Sequence, residues 1–82
     1  MLSEEDYFIL RLHKLLPENI SIFTYNSIIK IFRLYTFKYD FKRENVMSAL
    51  NIKKTKASEI IKILLEVDLI KQSGPAQYKF KK

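Results

Sequence analysis

The sequence has no cysteine, one histidine, one glycine and two prolines. Without cysteine there is no disulfide, no thiolate zinc site and no cysteine nucleophile, and this absence fits a reducing compartment. The single histidine, His13, leaves metal sites and Ser-His catalysis with almost nothing to work with. The scarcity of glycine and proline excludes a Gly-rich nucleotide loop, a flexible linker and a low-complexity tail.

Membrane segments and catalytic pairs are also missing. The longest apolar runs are only a few residues, and the start of the chain, MLSEED, lacks the basic residues of a signal peptide. No acid–base pair has a spacing typical of an active site, and Glu4, Glu5 and Asp6 are explained by helix capping. The sequence therefore predicts no membrane association, no enzymatic activity, no metal and no cofactor.

What the sequence does have is positive charge in one part of a globular composition. Its 82 residues are 48% hydrophobic and 29% charged, which is typical of one folded domain. Lysine and arginine exceed the acids by six, but residues 1–18 carry a net charge of −2, residues 30–56 of +6 and residues 57–82 of +2. This distribution indicates an anionic partner that contacts the middle and the end of the chain.

Two helices are predicted in the first half. Ser3 followed by acids is a typical N-cap, and the apolar spacing that follows predicts a helix over residues 4–16, ended by Pro17. A second helix starts near residues 19–21 or at Thr24. Its broad apolar stripe comprises Tyr25, Ile28, Ile29, Phe32 and Tyr35, widened by Ile31 and Leu34.

The second half alternates strands with helices. Residues 37–41 alternate apolar and polar, which predicts a short strand with one buried face. A helix over residues 42–50 follows, and then Asn51, a residue that tolerates the left-handed conformation. A longer helix covers residues 54–67, with Ala57, Ile60, Ile61 and Leu64 inward. Residues 68–72 and 77–80 read as the strands of a hairpin, joined by a turn at residues 73–76.

Residues 50–64, LNIKKTKASEIIKIL, continued by Leu69 and Ile70, resemble the core of winged helix-turn-helix regulators. In those families a small helix ends in Leu-Gly-Leu or similar, a recognition helix follows, and Gly-Leu-Ile or Gly-Leu-Val leads into the wing. Here Asn51 and Asp68 stand where glycine is usual. The layout of residues 37–82 is similar to MarR-like and ArsR-like repressors, and the size and Ile/Lys/Tyr-rich composition are similar to small regulators of archaeal viruses and plasmids.

The resemblance implies a mainly α fold with a small β-hairpin, a winged helix-turn-helix with an extra N-terminal helix. Residues 1–82 would form one domain, in which residues 1–36 supply N-terminal helices for dimerisation and residues 37–82 form the helix-turn-helix and the wing. The helix over residues 54–67 would enter the major groove of DNA.

The candidate base contacts lie on the side of that helix that faces away from its apolar stripe. The residues expected to contact bases are Lys54, Thr55, Lys56, Ser58, Glu59 and Lys62. Those expected to contact phosphates are Lys38, Lys42, Arg43, Lys53, Lys71 and Lys79. The competing interpretations are a solvated helix face and a lysine-guarded edge strand.

Seven of the eleven aromatic residues fall within residues 23–41, where core packing is favoured over single-strand stacking.

Surplus apolar residues suggest a partner subunit. Ile63 and Leu65 lie where the family usually has polar residues, and Leu10 lies on a different side of its helix from Leu12. We expect a homodimer formed through the first helix and residues 22–37. The other possibility is that these residues only pack the extra helices onto the motif.

These observations predict a sequence-specific double-stranded DNA-binding protein, a homodimeric transcriptional regulator. It would act in the cytoplasm, associated with the nucleoid, or in the host-cell cytoplasm if a virus or plasmid encodes it. No small-molecule ligand is expected. Two other functions stay open: an accessory factor in replication or partition, and a winged-helix module for protein–protein interaction.

Overall fold

A computed structural model of the chain describes residues 2–82. Four helices precede a two-stranded antiparallel hairpin. Their bounds are α1 (Glu4–Leu15), α2 (Ile22–Tyr35), α3 (Arg43–Leu50), α4 (Lys54–Glu66), β1 (Ile70–Gly74) and β2 (Gln77–Phe80). The protein is thus mainly helical with a small hairpin, as the sequence predicts.

Helices α1 and α2 have the predicted caps. Ser3 and Asp6 form a capping box in which each side chain binds the other's backbone N–H, at 3.1 and 3.2 Å. Leu16 is extended because Pro17 disfavours the helical conformation of the residue before it. Of the two predicted starts for α2, the structure has the earlier: Ser21 is the N-cap and accepts a hydrogen bond from the Thr24 N–H.

Three contacts show that α1 and α2 pack antiparallel. The Arg33 Nε donates to the Glu5 carboxylate at 2.7 Å, and this hydrogen bond raises the pKa of Arg33. The Phe8 and Phe32 rings stack with centroids 4.1 Å apart. Further along α1, the His13 Nε2 lies 2.8 Å from the Tyr25 hydroxyl. The contact partners of successive α1 residues have falling residue numbers along α2. The two helices therefore run in opposite directions, and the short loop between them reverses the direction of the chain.

An aromatic cluster joins these helices to the hairpin. The Phe80 ring meets Phe8 and Phe32 edge-on, at 5.1 and 5.2 Å between centroids. All three side chains are almost completely buried. The aromatic residues of α2 therefore build the core, as the apolar stripe predicts, except Phe23, which is exposed.

Helices α3 and α4 are joined by a tight turn. Asn51 ends α3 in the left-handed conformation, with φ 53° and ψ 51°, as predicted. The Ile52 N–H then donates to the Met47 carbonyl at 3.1 Å, and α4 starts two residues later. The predicted inward face of α4 is confirmed, because Ala57, Ile60, Ile61 and Leu64 are all buried. This turn fixes α4 against α3 and leaves the opposite face of α4 exposed.

The predicted strand over residues 37–41 is wrong except at its last residue. Thr36 ends α2 with φ 53° and ψ −156°, and the chain turns so that the Tyr39 N–H donates to the Tyr35 carbonyl. Only Phe41 forms a β-bridge, exchanging two 2.8 Å backbone hydrogen bonds with Tyr78. Burial does not follow the alternation of the sequence: Phe37 and Phe41 pack on the core, but Tyr39 is 61% exposed like its polar neighbours.

The hairpin begins later than predicted. Asp68 has φ 63° and belongs to the turn after α4, so β1 starts at Ile70 instead of residue 68. The strands pair antiparallel, and a bulge at Ser73 shifts the register before the turn. That turn consists of residues 75–76, and Ala76 has φ 56°. The hairpin tip is therefore narrower than the four-residue turn that the sequence predicts.

Candidate nucleic-acid interface

The exposed face of α4 brings together most of the predicted base contacts. A shallow depression runs along the first two turns of the helix. It is lined by Lys54, Thr55, Ser58, Glu59 and Lys62. These residues follow the helical repeat on the side opposite the buried stripe, because three- and four-residue steps return to one face. The face offers ammonium groups, two hydroxyls and one carboxylate, the donors and acceptors that can read base edges.

Lys56 lies at the flank of this depression and does not line it. Its Nζ is 3.5 Å from the Glu59 Oε2 and 5.5 Å from the centroid of the Phe23 ring. The Phe23 contact turns Lys56 toward α2, and Lys56 is half-buried. No sequence pattern singles out Phe23, because its contact with Lys56 depends on how α2 meets α4.

The start of α4 carries unbalanced positive charge. Its first turn has no acidic residue, and neither Lys53 nor Lys54 forms an ion pair with any of residues 2–82. Lys62 has only a long pairing with Glu66, at 4.0 Å. The N-terminus of a helix also has the positive end of the helix dipole and free backbone N–H groups. An anion bound here would therefore be favoured by the lysines, the dipole and the N–H groups together.

A groove of about 280 Å³ extends this face toward the hairpin. Arg43, at the start of α3, lies on one side, and Ala76 and Tyr78 of the hairpin lie on another. Ser58 and Lys62 line both the groove and the depression on α4, so the two are continuous. The Arg43 Nε is buried and has no hydrogen-bond partner among residues 2–82. A buried donor without a partner is unusual and fits a group that an anion completes.

Three other predicted phosphate contacts are exposed near helix starts or turns. Lys42 and Lys53 directly precede α3 and α4, and Lys38 lies in the turn after α2. The structure places none of the three in the groove or in the depression.

Lys71 and Lys79 lie on a separate surface. They are opposite each other in the hairpin, and they line a concavity of about 340 Å³ together with Phe37, Phe80, Lys81 and Lys82. No residue of α4 lines this concavity. The predicted phosphate contacts thus do not form one continuous surface: Arg43 lies beside α4, and the hairpin lysines lie elsewhere.

Other kinds of site would depend on metal ligands, on the single histidine or on a helix long enough to span a membrane. Within residues 2–82, no group of three His, Asp or Glu side chains is arranged to hold a metal ion. The side chain of His13 is exposed and bonded to Tyr25. None of the helices described has both the length and the apolar character needed to cross a bilayer.

No family model matches the chain, and no curated protein or solved structure matches it. A functional assignment therefore depends on the geometry and charge of the surfaces just described.

Proposed function

We propose that this protein binds double-stranded DNA sequence-specifically as a winged helix-turn-helix, with α4 in the major groove, and acts as a homodimeric transcriptional regulator. The observation that carries the proposal is the continuous surface formed by the α4 depression and the Arg43 groove. It combines base-reading side chains with cations that have no strong acidic partner. We propose no catalytic role for it.

The local geometry supports the helix-turn-helix interpretation. A turn of three residues, Asn51, Ile52 and Lys53, separates α3 from α4, which is the length typical of this motif. Asn51 and Asp68, which stand where glycine is usual in winged-helix regulators, both have positive φ. The hairpin follows α4 directly, and its tip borders the Arg43 groove, where a wing would meet the backbone next to the groove that α4 reads.

The homodimer is supported by the distribution of exposed apolar side chains. Among residues 2–82, six of the nine exposed large hydrophobic residues belong to α1 and α2. Among them, Tyr7 and Leu10 lie one helical turn apart on the outer face of α1, at 57% and 50% exposure. Covering this face with a second copy would remove apolar surface from water and leave both α4 helices free.

The test is duplex binding measured by fluorescence anisotropy over a range of salt concentrations. We expect the logarithm of the affinity to fall linearly with the logarithm of the salt concentration, because lysines displace counterions from phosphates. K54Q/K62Q should weaken binding by about 10-fold or more and lower the salt slope by about four, because each of the two subunits loses two cations. K14Q/K30Q removes the same charge from α1 and α2 and should leave both values almost unchanged.

Equal losses in the two variants would show that only net charge matters and would remove α4 from the interface. Salt-independent binding, or none, would favour the protein–protein interaction module, for which the apolar face of α1 and α2 offers a surface.

A further inference from the structure

The outer face of the hairpin carries cations that the α4 surface does not use. Lys71 on β1 lies directly opposite Lys79 on β2. Their strand neighbours Ile70 and Phe80 are buried. Because successive side chains point to opposite faces of a strand, the two lysines project away from the core.

This arrangement is unfavourable by itself. Like charges directly across two strands destabilise a hairpin. No ion pair within residues 2–82 includes Lys71 or Lys79. Lys81, which lines the same concavity, is bound to Asp68 at 2.8 Å, so the nearby acid is already engaged. The folded protein thus holds two uncompensated cations side by side.

Protection of an exposed strand edge does not explain the pair. Lysine on an edge strand discourages pairing with another chain, and Lys71 on β1 has that role. Lys79 is on β2, whose other side already bridges to Phe41 through Tyr78. A second lysine directly opposite the first adds repulsion without further protection. The pair, set in a concavity beside Phe37, has instead the character of an anion site.

We propose that the hairpin patch, defined as Lys71, Lys79, Lys81 and Lys82, binds the phosphate backbone of a second segment of duplex DNA. The inference rests on the proposed function, because α4 must hold the first segment. Within residues 2–82, Lys71 and Lys79 are the patch cations without an ion pair. Lys81 and Lys82 are paired with Asp68 and Glu4, at 2.8 and 3.8 Å. Duplex DNA suits such a patch because it carries one charge per ~1.7 Å of its axis. Once α4 is bound, other segments of the same polymer are also present at high local concentration.

A protein with two such surfaces joins two duplexes or folds one duplex back on itself. The α4 surface selects the site, and the hairpin patch, which offers only lysines, binds without reading bases. This is an activity beyond occupancy of a single operator.

The experiment is a bridging assay on the full chain. A biotinylated duplex is fixed to beads, a labelled second duplex is added, and the retained label is measured with and without protein. Anisotropy on a single duplex containing the best α4 site is measured in parallel. We expect K71Q/K79Q to retain about 10-fold less label than the wild type, while affinity for that single duplex changes by less than about threefold. K14Q/K30Q should bridge like the wild type.

A loss of bridging in K71Q/K79Q would not reflect misfolding, because removing two facing like charges should raise the melting temperature of this variant. Bridging that survives in K71Q/K79Q would come from two α4 surfaces of a dimer and would overturn the proposal. Wild-type protein that binds one duplex but captures no second one would overturn it and leave the proposed function standing. Protein that binds no duplex would overturn both. Capture of labelled polyglutamate in place of the second duplex would assign the patch to an acidic protein instead.

Discussion

Arg43 occupies the first turn of α3, where its charge opposes the helix dipole. Its Nε is also buried without a hydrogen-bond partner among residues 2–82. The repulsion between the Arg43 charge and the helix dipole lowers the stability of the fold by about 0.3–1 kcal/mol. An unsatisfied buried donor lowers it by about 1–3 kcal/mol. A DNA phosphate bound beside Arg43 would offset the charge–dipole cost. Arg43 is therefore a residue at which stability and binding should oppose each other.

For Arg43→Met we expect the free energy of unfolding to rise by about 1 kcal/mol, because methionine keeps the apolar stem and removes the orphan donor and the charge. Duplex affinity should fall by about 5-fold or more, and the salt slope by about two, one for each subunit of the dimer. Urea unfolding and anisotropy measure the two effects. Glu44→Gln, at the next position, is the control for a change at the rim of the same groove. A variant that binds DNA as well as the wild type would remove Arg43 from the interface.

At the scale of elements, the turns carry the unusual backbone conformations. Asn51 and Asp68 adopt positive φ at small cost, because both residue types tolerate the left-handed region. Thr36 does not, because it is β-branched and lies at φ 53°, ψ −156°, a region that only glycine visits freely. Its hydroxyl compensates in part, donating to the Tyr35 carbonyl and accepting from the Lys38 N–H. The α2 terminus is thus a strained point of the fold.

Replacing Thr36 with glycine should give a more stable protein than replacing it with alanine. Both variants lose the two hydroxyl hydrogen bonds, but only glycine relieves the strain of about 1–3 kcal/mol, which exceeds its extra freedom in the unfolded chain, about 0.5–1 kcal/mol. We expect the glycine variant to melt about 4 °C or more above the alanine variant. Thr36→Ala is the matched variant, because it also loses the hydroxyl but keeps the Cβ and should melt below the wild type. If the glycine variant melts below the alanine variant, Thr36 is not strained.

The helices were predictable from the sequence because their caps and apolar stripes are local features. Ser3, Pro17 and Asn51 set helix ends close to their predicted positions, and every residue of the predicted α4 stripe is buried. The turn over residues 37–41 was not predictable in the same way. The alternation of apolar residues suggests a strand, but Tyr39 is exposed and only Phe37 and Phe41 pack on other elements, which tertiary packing determines.

The candidate site was predictable only in part, for the same reason. The face of α4 follows from helical spacing, so its exposed residues could be placed in advance. The positions of Lys71 and Lys79 depend on where the hairpin packs, and the Phe23 contact with Lys56 depends on how α2 meets α4. Neither the position of the hairpin lysines nor the Phe23–Lys56 contact can be read from the pattern of a short stretch of sequence.

At the scale of the whole molecule, three surfaces have different characters. The α4 surface and the hairpin patch are basic, and the outer side of α1 and α2 is rich in exposed apolar residues. The acidic start of α1 borders the hairpin patch, because the Glu4 carboxylate lies 3.8 Å from the Lys82 Nζ. A dimer formed through the apolar side of α1 and α2 would present two copies of α4 to DNA.

For Leu10→Glu we expect loss of the dimer, because the buried charge would have no partner in a two-fold apolar interface. Sedimentation equilibrium at high micromolar concentration should give a dimer for the wild type and a monomer for the variant. Tyr39→Glu, at a 61% exposed position outside α1 and α2, should sediment like the wild type. Wild-type protein that is monomeric at this concentration would contradict the dimer, whatever its DNA affinity.

Sequence-specific recognition by α4 is tested most directly by selection of bound duplexes from a random pool by the wild-type protein. We expect enrichment of one motif with two-fold symmetry, whose half-sites lie about one helical turn apart, because two α4 helices would read it together. The K54Q/K62Q variant should lose this enrichment. A pool that stays random after repeated selection, despite duplex binding, would contradict sequence-specific recognition by α4.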